Sequence, residues 1–462
     1  MRRTKIVCTI GPASDNPDIL RAMILAGMDV ARVNFSHGAG REQADRIARI
    51  RATADALGRT VSVMGDLAGP KLRTGLLSRE SVMLRAGDPF TLTVNEVPGD
   101  WRAVSVGFPG FTEAVKPGDT ILLSDGTIEL VVDRVAPDAV TTRVLVGGLL
   151  SAHKGINIPG RSLGIEAFTP KDREDLSFAV KHRLDWVALS FVRQAQDVQT
   201  AKAWMERSNA RIPVMAKIEQ REAMAALDEI ADASDGLMVA RGDLGVETAL
   251  EDVPFHQKAV IASGLNHGVP VITATQMLES MMTSLRPTRA EATDVATAVL
   301  DGTDALMLSE ETAIGSYPVE AVKTMARIAE RAEREIDRAR FLHRRADNPV
   351  EAVSHAACTL AAEISAAAIL VPADDGTEPI QIAAHRPAQP VIALTPDRRV
   401  AARLAVGWGI TPVLYSAERE PDGVRHGVEL AIASGLLAPG DRYVLVRTPS
   451  RAHRGGIEVV QV

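Results

Sequence analysis

Two carboxylates and one lysine follow neighbouring apolar runs of the sequence, where they could bind a metal ion together. Lys217 and Glu219 close the run Pro213–Glu219, and Asp243 follows the run Gly236–Arg241. Because side chains alternate along a strand, Lys217 and Glu219 are expected to point the same way. Two carboxylates without His or Cys favour a hard cation such as Mg²⁺, which takes one or two carboxylates together with substrate oxygens. Taken alone, Lys217 and Glu219 could equally form an ion pair that only caps the strand.

A second group of polar residues could bind a substrate anion. Gly242 lets the backbone approach a ligand closely, so its amide and that of Asp243 could bind a carboxylate near a helix N-terminus. Thr275 adds a hydroxyl group at the end of the next run. Arg32 and Lys217 would be two fixed cations opposite the two carboxylates. This combination suits a polyanionic substrate and phosphoryl transfer, where catalysis is mostly positioning and charge neutralisation. The sequence has no Gly-x4-Gly-Lys-Ser/Thr loop, so a nucleotide would be held differently.

These residues belong to a series of eight short apolar runs, six of which end in a polar residue. Most of the runs are followed by a stretch with helical periodicity, such as Pro17–Ala26 or Glu222–Ala231. Buried parallel strands read as continuous apolar runs because helices cover them. The pattern predicts an α/β fold with a (β/α)8 TIM barrel, whose chemistry lies at the C-terminal ends of the strands. The predicted barrel strands are Thr4–Ile10, Asp29–Asn34, Val61–Asp66, Asp185–Val192, Pro213–Glu219, Gly236–Arg241, Pro270–Thr275 and Ala305–Ser309.

The barrel pattern is interrupted after its third run. Between about Pro70 and Ala152, short alternating runs are separated by turn sequences such as Pro117-Gly118-Asp119. They predict an inserted small β-barrel domain above the active face, where it could act as a lid. From about Asn348 the β/α alternation restarts and predicts a separate C-terminal α/β domain. The predicted segments are a first part of the barrel at 1–69, an all-β lid domain at 70–155, a second part of the barrel at 156–343 and a C-terminal α/β domain at 344–462.

Composition argues against several classes of partner and compartment. The formal charge of −7 argues against nucleic acid or an acidic membrane as the main partner. Cys8 and Cys358 are the only cysteines, which rules out a disulfide framework or a cysteine metal cluster and fits a reducing cytosol. The Ala-rich stretch Ala352–Leu370 contains His355 and Glu363, so a buried helix and strand fit it better than a membrane span. We therefore expect a cytoplasmic protein with no nucleic-acid and no membrane partner.

Several longer strings, in family order over almost the whole chain, resemble the pyruvate kinase family. The strings are Thr4–Pro12, Arg32–Gly38, Met215–Glu219, Met238–Gly245, Ala274–Ser280, Arg286–Glu291 and Met307–Thr312. The resemblance implies transfer of the phosphoryl group of phosphoenolpyruvate to ADP, which gives ATP and pyruvate. The family is usually tetrameric, so the resemblance also implies a homotetramer.

The resemblance assigns roles to the matching polar residues. Glu219 and Asp243 would bind Mg²⁺, and Lys217 would neutralise charge on the phosphoryl group and on the enolate that it leaves. The residues implied for catalysis are Lys217, Arg32 and Thr275. Those implied for the three-carbon acid and its phosphate are Arg32, Gly242, Asp243 and Thr275. Those implied for the nucleotide are Asn34, His37, Arg73 and Lys154.

One departure from the family pattern concerns the monovalent cation. Many members need K⁺, which is held in part by the residues matching Asn34, Ser36 and Asp66, with a nearby glutamate. Here Lys71 stands at the position of that glutamate, and Leu67 at a position often filled by threonine. A lysine ammonium carries the same charge as K⁺ on a tether and can pair with nearby carboxylates. We therefore expect that Lys71 replaces the ion and that K⁺ is not required.

Two alternative functions share parts of this pattern. A barrel lyase that stabilises a pyruvate enolate on Mg²⁺ would share Glu219 and Asp243 but would have no evident need for Arg32, Arg73 and the lid. A catalytically silent paralogue kept for regulation would have no reason to retain Lys217 and both carboxylates. Turnover with phosphoenolpyruvate distinguishes the three functions.

Overall fold

The first part of the barrel extends from the N-terminal strand to the point where the chain enters the insertion. A computed structural model of the protein describes residues 2–36, 38, 40–161, 164–342, 348–416, 424–447 and 456–462. The first elements are β1 (Lys5–Thr9), α1 (Pro17–Ala26), β2 (Val30–Asn34), α2 (Gly40–Ala56) and β3 (Ser62–Asp66). Helix α1 has the bounds that its periodicity predicts. It begins after Asn16, whose side chain accepts a hydrogen bond from the Asp18 N–H, and it ends at Gly27, which has a φ of 121°.

An all-β insertion with one short helix follows β3. Its elements are β4 (Ser81–Leu84), β5 (Pro89–Thr93), β6 (Ala103–Ser105), α3 (Phe111–Ala114), β7 (Thr120–Leu123), β8 (Ile128–Val135), β9 (Ala139–Val146), β10 (Gly148–Ser151) and β11 (Ile156–Asn157). One sheet has the order β11-β7-β8-β9-β5-β6, and β10 pairs with β4 in a second sheet. Residues from both sheets, among them Val82, Phe90 and Leu150, share one hydrophobic core. The predicted small β-barrel thus takes the form of two sheets around a common core.

The second part of the barrel alternates strands and helices. Its first elements are α4 (Pro170–Lys181), β12 (Trp186–Leu189), α5 (Ala195–Arg207), β13 (Val214–Ile218), α6 (Arg221–Ala225), α7 (Leu227–Ala233), β14 (Gly236–Ala240) and α8 (Arg241–Glu247). The remaining elements are α9 (Val253–His267), β15 (Val271–Ala274), α10 (Arg289–Asp301), β16 (Ala305–Leu308), α11 (Glu310–Ala313), α12 (Pro318–Ala332) and α13 (Ala339–Leu342). The stretch predicted as one helix at Glu222–Ala231 is divided between α6 and α7.

Eight parallel strands close into a barrel in chain order, which confirms the predicted TIM barrel. The order around the barrel is β1-β16-β15-β14-β13-β12-β3-β2, and each predicted run contains one of these strands. Because all eight strands run in the same direction, the polar residues at the ends of the runs meet at one face. That face is also the one from which the insertion leaves and to which it returns.

In its described residues, the C-terminal domain consists of a five-stranded sheet with helices. Its elements are α14 (Pro349–Glu363), β17 (Ala368–Pro372), α15 (Thr377–Ala384), β18 (Val391–Thr395), α16 (Arg398–Leu404), β19 (Ile410–Leu414), α17 (Val424–Ala433), β20 (Arg442–Arg447) and β21 (Gly456–Gln461). The sheet order is β19-β18-β17-β20-β21, and β21 alone runs antiparallel to its neighbour. Across the described ranges, no helix is long and apolar enough to cross a membrane.

The C-terminal domain closes the end of the barrel opposite the predicted site. Val406, between α16 and β19, is fully buried among side chains from the barrel interior such as Met64. The ring of Trp408 lies beneath the guanidinium groups of Arg3 and Arg386, each 5.2 Å from the ring centroid. These contacts shield the N-terminal ends of the strands from water, so the barrel is open to ligands at its C-terminal face.

A carboxylate stands directly before every second barrel strand and ties that strand to the preceding one. Each carboxylate accepts a backbone N–H bond of 2.8–2.9 Å, and the N–H of the same Asp donates to the carbonyl of the same partner residue at 2.9–3.0 Å. The pairs are Asp29 with Ile6, Asp185 with Val63, Asp235 with Val214 and Asp304 with Val271. The lower end of the barrel is therefore held as four two-strand units.

We expect Asp185 to make stability depend on pH. Burial raises the pKa of Asp185 to about 6, although the Val63 N–H, Arg51 and Arg403 act in the opposite direction. Because the folded pKa lies above the unfolded value of about 3.9, the folded state loses stability as pH rises between these values. Asp185→Asn keeps an acceptor for Val63 and removes the charge. Relative to wild type, its free energy of unfolding should rise by about 2 kcal/mol between pH 4.5 and pH 7.5, measured by denaturant unfolding.

Asp235→Asn is the matched control, because Asp235 makes the same pair of backbone bonds but is partly exposed and paired with Lys202 at 2.8 Å. We expect no comparable rise for this variant. A difference between Asp185→Asn and wild type that stays constant across the pH range would contradict the prediction.

Candidate active site

The residues predicted to be functional lie where barrel strands end. Arg32 belongs to β2, Lys217 to β13, and Glu219 directly follows β13. Asp243 lies in the first turn of α8, which directly follows β14, and Thr275 directly follows β15. Each side chain is thus positioned by a strand of the closed barrel or by the turn that follows it, which favours precise placement.

Asp66 is the buried anion that holds two cations in the barrel mouth. It is 2 % exposed, and its Oδ2 accepts a 2.6 Å hydrogen bond from Arg32 Nε. Its Oδ1 lies 3.5 Å from Lys217 Nζ, and Arg32 Nη1 also donates to the Thr9 hydroxyl at 2.9 Å. Burial alone would raise the pKa of Asp66, but the charges of Arg32 and Lys217 and their hydrogen bonds hold it below its usual range. Asp66 is therefore ionised and fixes the orientation of both cations.

Lys217 is a permanently charged ammonium. Its Nζ donates to Ser190 Oγ at 2.6 Å and lies 3.3 Å from Glu219 Oε2. Burial would lower the pKa of Lys217, but the carboxylates of Asp66, Glu219 and Asp243 raise it above its usual range. The short distance to Glu219 confirms that the two side chains point the same way, as the alternation along the strand predicts. Lys217 can thus neutralise negative charge but is a poor proton donor or acceptor near neutral pH.

Ser190 is a site residue that the motif analysis missed. Its hydroxyl accepts the hydrogen bond from Lys217 and donates to the Leu67 carbonyl at 2.8 Å. It is the only hydroxyl-bearing residue of the predicted run Asp185–Val192 and lies at the end of β12. A polar residue at the C-terminal end of a barrel strand was the available signal.

Glu219 offers an oxygen suited to a metal ion. It is 1 % exposed, and its Oε1 accepts a 2.7 Å hydrogen bond from the Phe191 N–H. Its Oε2 is buried and forms no hydrogen bond among the described residues, although Lys217 Nζ lies 3.3 Å away. Burial raises the pKa of Glu219, Lys217 opposes this effect and Asp243 adds to it. A buried carboxylate oxygen of this kind beside a second carboxylate fits a hard cation such as Mg²⁺.

The remaining ligands of such a cation would come from outside the protein. No group of three or more His, Cys, Asp or Glu ligands occurs within the part of the chain that the structure describes. Mg²⁺ in phosphoryl-transfer sites keeps several waters and substrate oxygens and needs only one or two carboxylates. The donor set therefore fits Mg²⁺ better than Zn²⁺, which prefers three or four protein ligands.

Lys71 pairs with the second candidate metal ligand. Its Nζ lies 2.9 Å from Asp243 Oδ1 and 3.9 Å from Asp125 Oδ1 in the insertion. Asp66, one of the residues that the resemblance assigns to the monovalent-cation site, forms its ion pairs with Arg32 and Lys217. Lys71 thus contributes its charge to the site by pairing with Asp243. Leu67 is buried, and its carbonyl accepts a hydrogen bond from the Ser190 hydroxyl.

Thr275 has a strained backbone that a neighbouring arginine supports. Its φ is 69°, in the left-handed region that residues other than glycine seldom adopt. Arg241 donates to the carbonyls of Ala274 and Thr275, at 3.1 and 2.6 Å, and is itself paired with Asp294 at 2.6 Å. The Thr275 hydroxyl accepts the Gly242 N–H at 2.8 Å. The Gly242 amide and the Thr275 hydroxyl are thus placed together.

The predicted nucleotide residues lie on separate segments of the chain. Asn34 ends β2, where its side chain accepts the Ser36 N–H at 3.0 Å. Arg73 and Lys154 are exposed on the two adjoining segments at the base of the insertion, and Arg73 Nη1 donates to the His153 carbonyl at 3.0 Å. His37 lies outside the described residues. The structure thus brings Arg73 and Lys154 together through backbone pairing, while Asn34 and Ser36 belong to a separate turn.

Comparison with known proteins agrees with this geometry. The family model "Pyruvate kinase, barrel domain" matches residues 1–322, and "Pyruvate kinase, alpha/beta domain" matches residues 351–462. The pyruvate kinase of Geobacillus stearothermophilus is 43 % identical over an alignment 470 positions long, which covers 100 % of this chain and 80 % of that protein. The pyruvate kinase of Thermotoga maritima is 41 % identical over 446 residues, which cover 96 % of each chain.

The fold is also similar to that of a solved structure. The crystal structure of a pyruvate kinase from Cryptosporidium parvum superposes with a TM-score of 0.93 at 35 % identity, covering 100 % of this chain and 96 % of that one. The matches extend over the barrel, the insertion and the C-terminal domain alike. On the sequence matches and the shared fold, the chain belongs to the pyruvate kinase family.

Proposed function

We propose that the protein transfers the phosphoryl group of phosphoenolpyruvate to ADP, which gives pyruvate and ATP in glycolysis. The observation that carries this proposal is Lys217, whose ammonium is held between Asp66 and Glu219 at the C-terminal face of the barrel. Phosphoryl transfer needs fixed positive charge in a water-poor site rather than covalent chemistry from the protein. The family to which the chain belongs supports the same reaction.

In this mechanism Lys217 and Arg32 neutralise charge on the substrate. Lys217 keeps its proton because three carboxylates raise its pKa, so its charge is present when negative charge develops on the phosphoryl group and the enolate oxygen. Arg32 is held by Asp66 and Thr9, and its remaining N–H groups can bind the phosphate. Neither cation has to move during the reaction. This preorganisation lowers the activation free energy of phosphoryl transfer.

Gly242, Asp243 and Thr275 position the three-carbon acid. The Gly242 N–H is bound by the Thr275 hydroxyl, and a substrate carboxylate would be an alternative acceptor for the same N–H. The left-handed backbone of Thr275 keeps its hydroxyl beside Gly242 and so favours one orientation of the substrate.

Glu219 and Asp243 would hold Mg²⁺, which members of the family generally use. When bound, Mg²⁺ would supply charge neutralisation and a template for substrate oxygens. On the nucleotide side we propose Asn34, Arg73 and Lys154, together with His37 outside the described residues. The exposed side chains of Arg73 and Lys154 at the base of the insertion support this role, since they can reach a ligand beneath the lid.

Three further proposals concern the whole molecule. The domain boundaries are those of the predicted segments 1–69, 70–155, 156–343 and 344–462, except that the insertion extends at least to Asn157, because β11 pairs with β7 of its sheet. The protein is a cytoplasmic homotetramer, and the large apolar side chains exposed on the barrel exterior support an association of subunits there. These side chains are Phe255 at 67 %, Leu285 at 56 % and Ile314 at 55 % exposure.

The first test is pyruvate formation from phosphoenolpyruvate, ADP and Mg²⁺. We expect rapid turnover by wild type and a loss of about 10³-fold in kcat for Lys217→Met, because this variant removes the fixed charge. Ser190→Ala should lose about tenfold, since Lys217 keeps its two ion pairs but not its hydrogen bond. Lys202→Met, which removes a lysine paired with Asp235 at the other end of the barrel, is the control and should retain activity.

The outcomes separate the alternative functions. Absence of turnover by a folded wild type would favour the catalytically silent paralogue. Pyruvate formation by cleavage of a 4-hydroxy-2-oxo acid, with none from phosphoenolpyruvate and ADP, would favour the Mg²⁺-dependent pyruvate-enolate lyase.

The metal assignment can be tested without turnover. Glu219→Gln should weaken Mn²⁺ binding at least about tenfold, measured by electron paramagnetic resonance, because it removes the charged oxygen that lacks a hydrogen bond. Glu311→Gln is the matched control: Glu311 is equally buried, but its two oxygens accept the N–H groups of Leu278 and Ser309. Equal Mn²⁺ affinity in the two variants would contradict the assignment.

For the monovalent cation, we propose that Lys71 makes K⁺ unnecessary. Its ammonium lies at the barrel mouth on Asp243, where it supplies a tethered positive charge. Wild type should have the same activity in tetramethylammonium chloride as in KCl, within about twofold. Lys71→Glu should lose activity in tetramethylammonium chloride and regain it with KCl. Lys116→Glu, a similar change on the exposed surface of the insertion, should respond as wild type does. A large KCl activation of wild type would overturn the proposal.

A further inference from the structure

One buried carboxylate holds both passages of the chain between the barrel and the insertion. Asp172 is fully buried in the first turn of α4. Its Oδ1 accepts the Gly69 N–H at 3.0 Å, three residues after β3, where the chain leaves the barrel. Its Oδ2 accepts the N–H and the hydroxyl of Thr169, at 2.9 and 2.7 Å, where the chain returns. One side chain therefore joins the outgoing and the returning segments.

Helix capping accounts only for the bonds to Oδ2. Thr169 and Asp172 form a capping box, in which the Thr169 hydroxyl accepts the Asp172 N–H and the Asp172 carboxylate accepts the Thr169 N–H. This arrangement uses Oδ2 alone. The bond from Gly69 to Oδ1 connects a residue 103 positions away and contributes nothing to the helix terminus. It requires another explanation.

Gly69 packs directly on the residues that orient the active site. It has a φ of 64°, and a Cβ added there would lie 2.5 Å from Phe191 Cδ2 and 3.1 Å from Ser190 Cβ. Both the left-handed backbone and the close approach require glycine at this position. We call Ser190 and Phe191 the shelf, because the outgoing segment rests on them.

The shelf holds the two residues proposed for charge neutralisation and metal binding. Ser190 accepts the hydrogen bond from Lys217, and the Phe191 N–H donates to Glu219. Ser190 also donates to the Leu67 carbonyl, two residues before Gly69. Phe191 has a φ of 58°, which is costly for a bulky residue, so its N–H points at Glu219 only as long as the neighbouring segments hold it.

We propose that Asp172 is a positioning residue that couples the attachment of the insertion to the orientation of Lys217 and Glu219. It fixes Gly69, Gly69 confines the shelf, and the shelf orients the ammonium and the carboxylate. Displacement of the outgoing segment would free Phe191 to relax and would turn its N–H away from Glu219. The roles of Lys217 and Glu219 in this inference rest on the proposed function. The test, however, measures hydrogen exchange and Mn²⁺ binding and does not depend on turnover.

The test is Asp172→Asn in the full-length protein. The amide has one oxygen, which can serve the capping box or Gly69 but not both. We expect faster hydrogen exchange of the Gly69 amide and Mn²⁺ binding weakened by about tenfold, with an unchanged number of sites. The number of sites is informative because partial unfolding would lower it, whereas mispositioning of Glu219 changes only the affinity.

Asp197→Asn is the matched control. Asp197 stands at the corresponding position of α5, the next barrel helix, and its carboxylate accepts the N–H groups of Arg193 and Gln194. The variant weakens a similar helix terminus without touching Gly69, so its Mn²⁺ affinity should match that of wild type. Gly69→Ala is the second variant: it keeps the capping box, displaces the outgoing segment from Phe191 and should weaken Mn²⁺ binding as Asp172→Asn does.

The outcomes are distinguishable from those of the proposed function. Wild-type Mn²⁺ affinity in both Asp172→Asn and Gly69→Ala, or equal weakening in Asp197→Asn, would overturn the coupling. Suppose that wild type forms no pyruvate, but that Asp172→Asn and Gly69→Ala bind Mn²⁺ more weakly than wild type and Asp197→Asn does not. The proposed reaction then fails and the coupling stands.

Discussion

The barrel mouth depends on the ion pairs of one buried carboxylate, Asp66. An arginine and a lysine side by side would repel each other, and both would lose hydration in the barrel. Asp66 lies between Arg32 and Lys217 and compensates for both effects. Because its pKa is held below the usual range, the arrangement persists over the physiological pH range. The other charged groups of the site are placed relative to these two cations, and Glu219 is the nearest of them.

A second layer of groups lies behind the charged residues and fixes their positions. Ser190 and the N–H of Phe191 hold Lys217 and Glu219, and Arg241 holds the backbone of Thr275 through two carbonyls. Two of these positions, Phe191 and Thr275, have left-handed backbones, which cost free energy and are retained where the surrounding structure over-determines them. The opposite end of the barrel provides the rigidity that holds these two strained backbones in place. There, four aspartates tie strands in pairs, and the C-terminal domain seals the interior with Val406 and Trp408.

Much of the fold and part of the site follow from local sequence. The eight barrel strands are predictable because a strand buried on both sides must be apolar throughout, and a polar residue then marks the point where it leaves the barrel wall. The approach of Lys217 to Glu219 is likewise predictable from the period of two along a strand. The helix Pro17–Ala26 is predictable in its bounds, because Asn16 and Gly27 are local signals for its two ends.

Local sequence patterns alone therefore predict the set of strands, the face at which their ends meet and the identity of the charged residues there. Which of these charges pair depends on the tertiary structure. Lys71 pairs with Asp243, 172 positions away, whereas Asp66 pairs with Arg32 and Lys217. The Asp172 carboxylate reaches Gly69, and the glycine rests on Phe191. Such contacts join segments that local patterns describe separately, and their geometry depends on how the insertion leaves the barrel and returns to it. Strand and helix periodicity cannot predict these contacts, because periodicity relates residues a few positions apart and these contacts join residues more than a hundred positions apart.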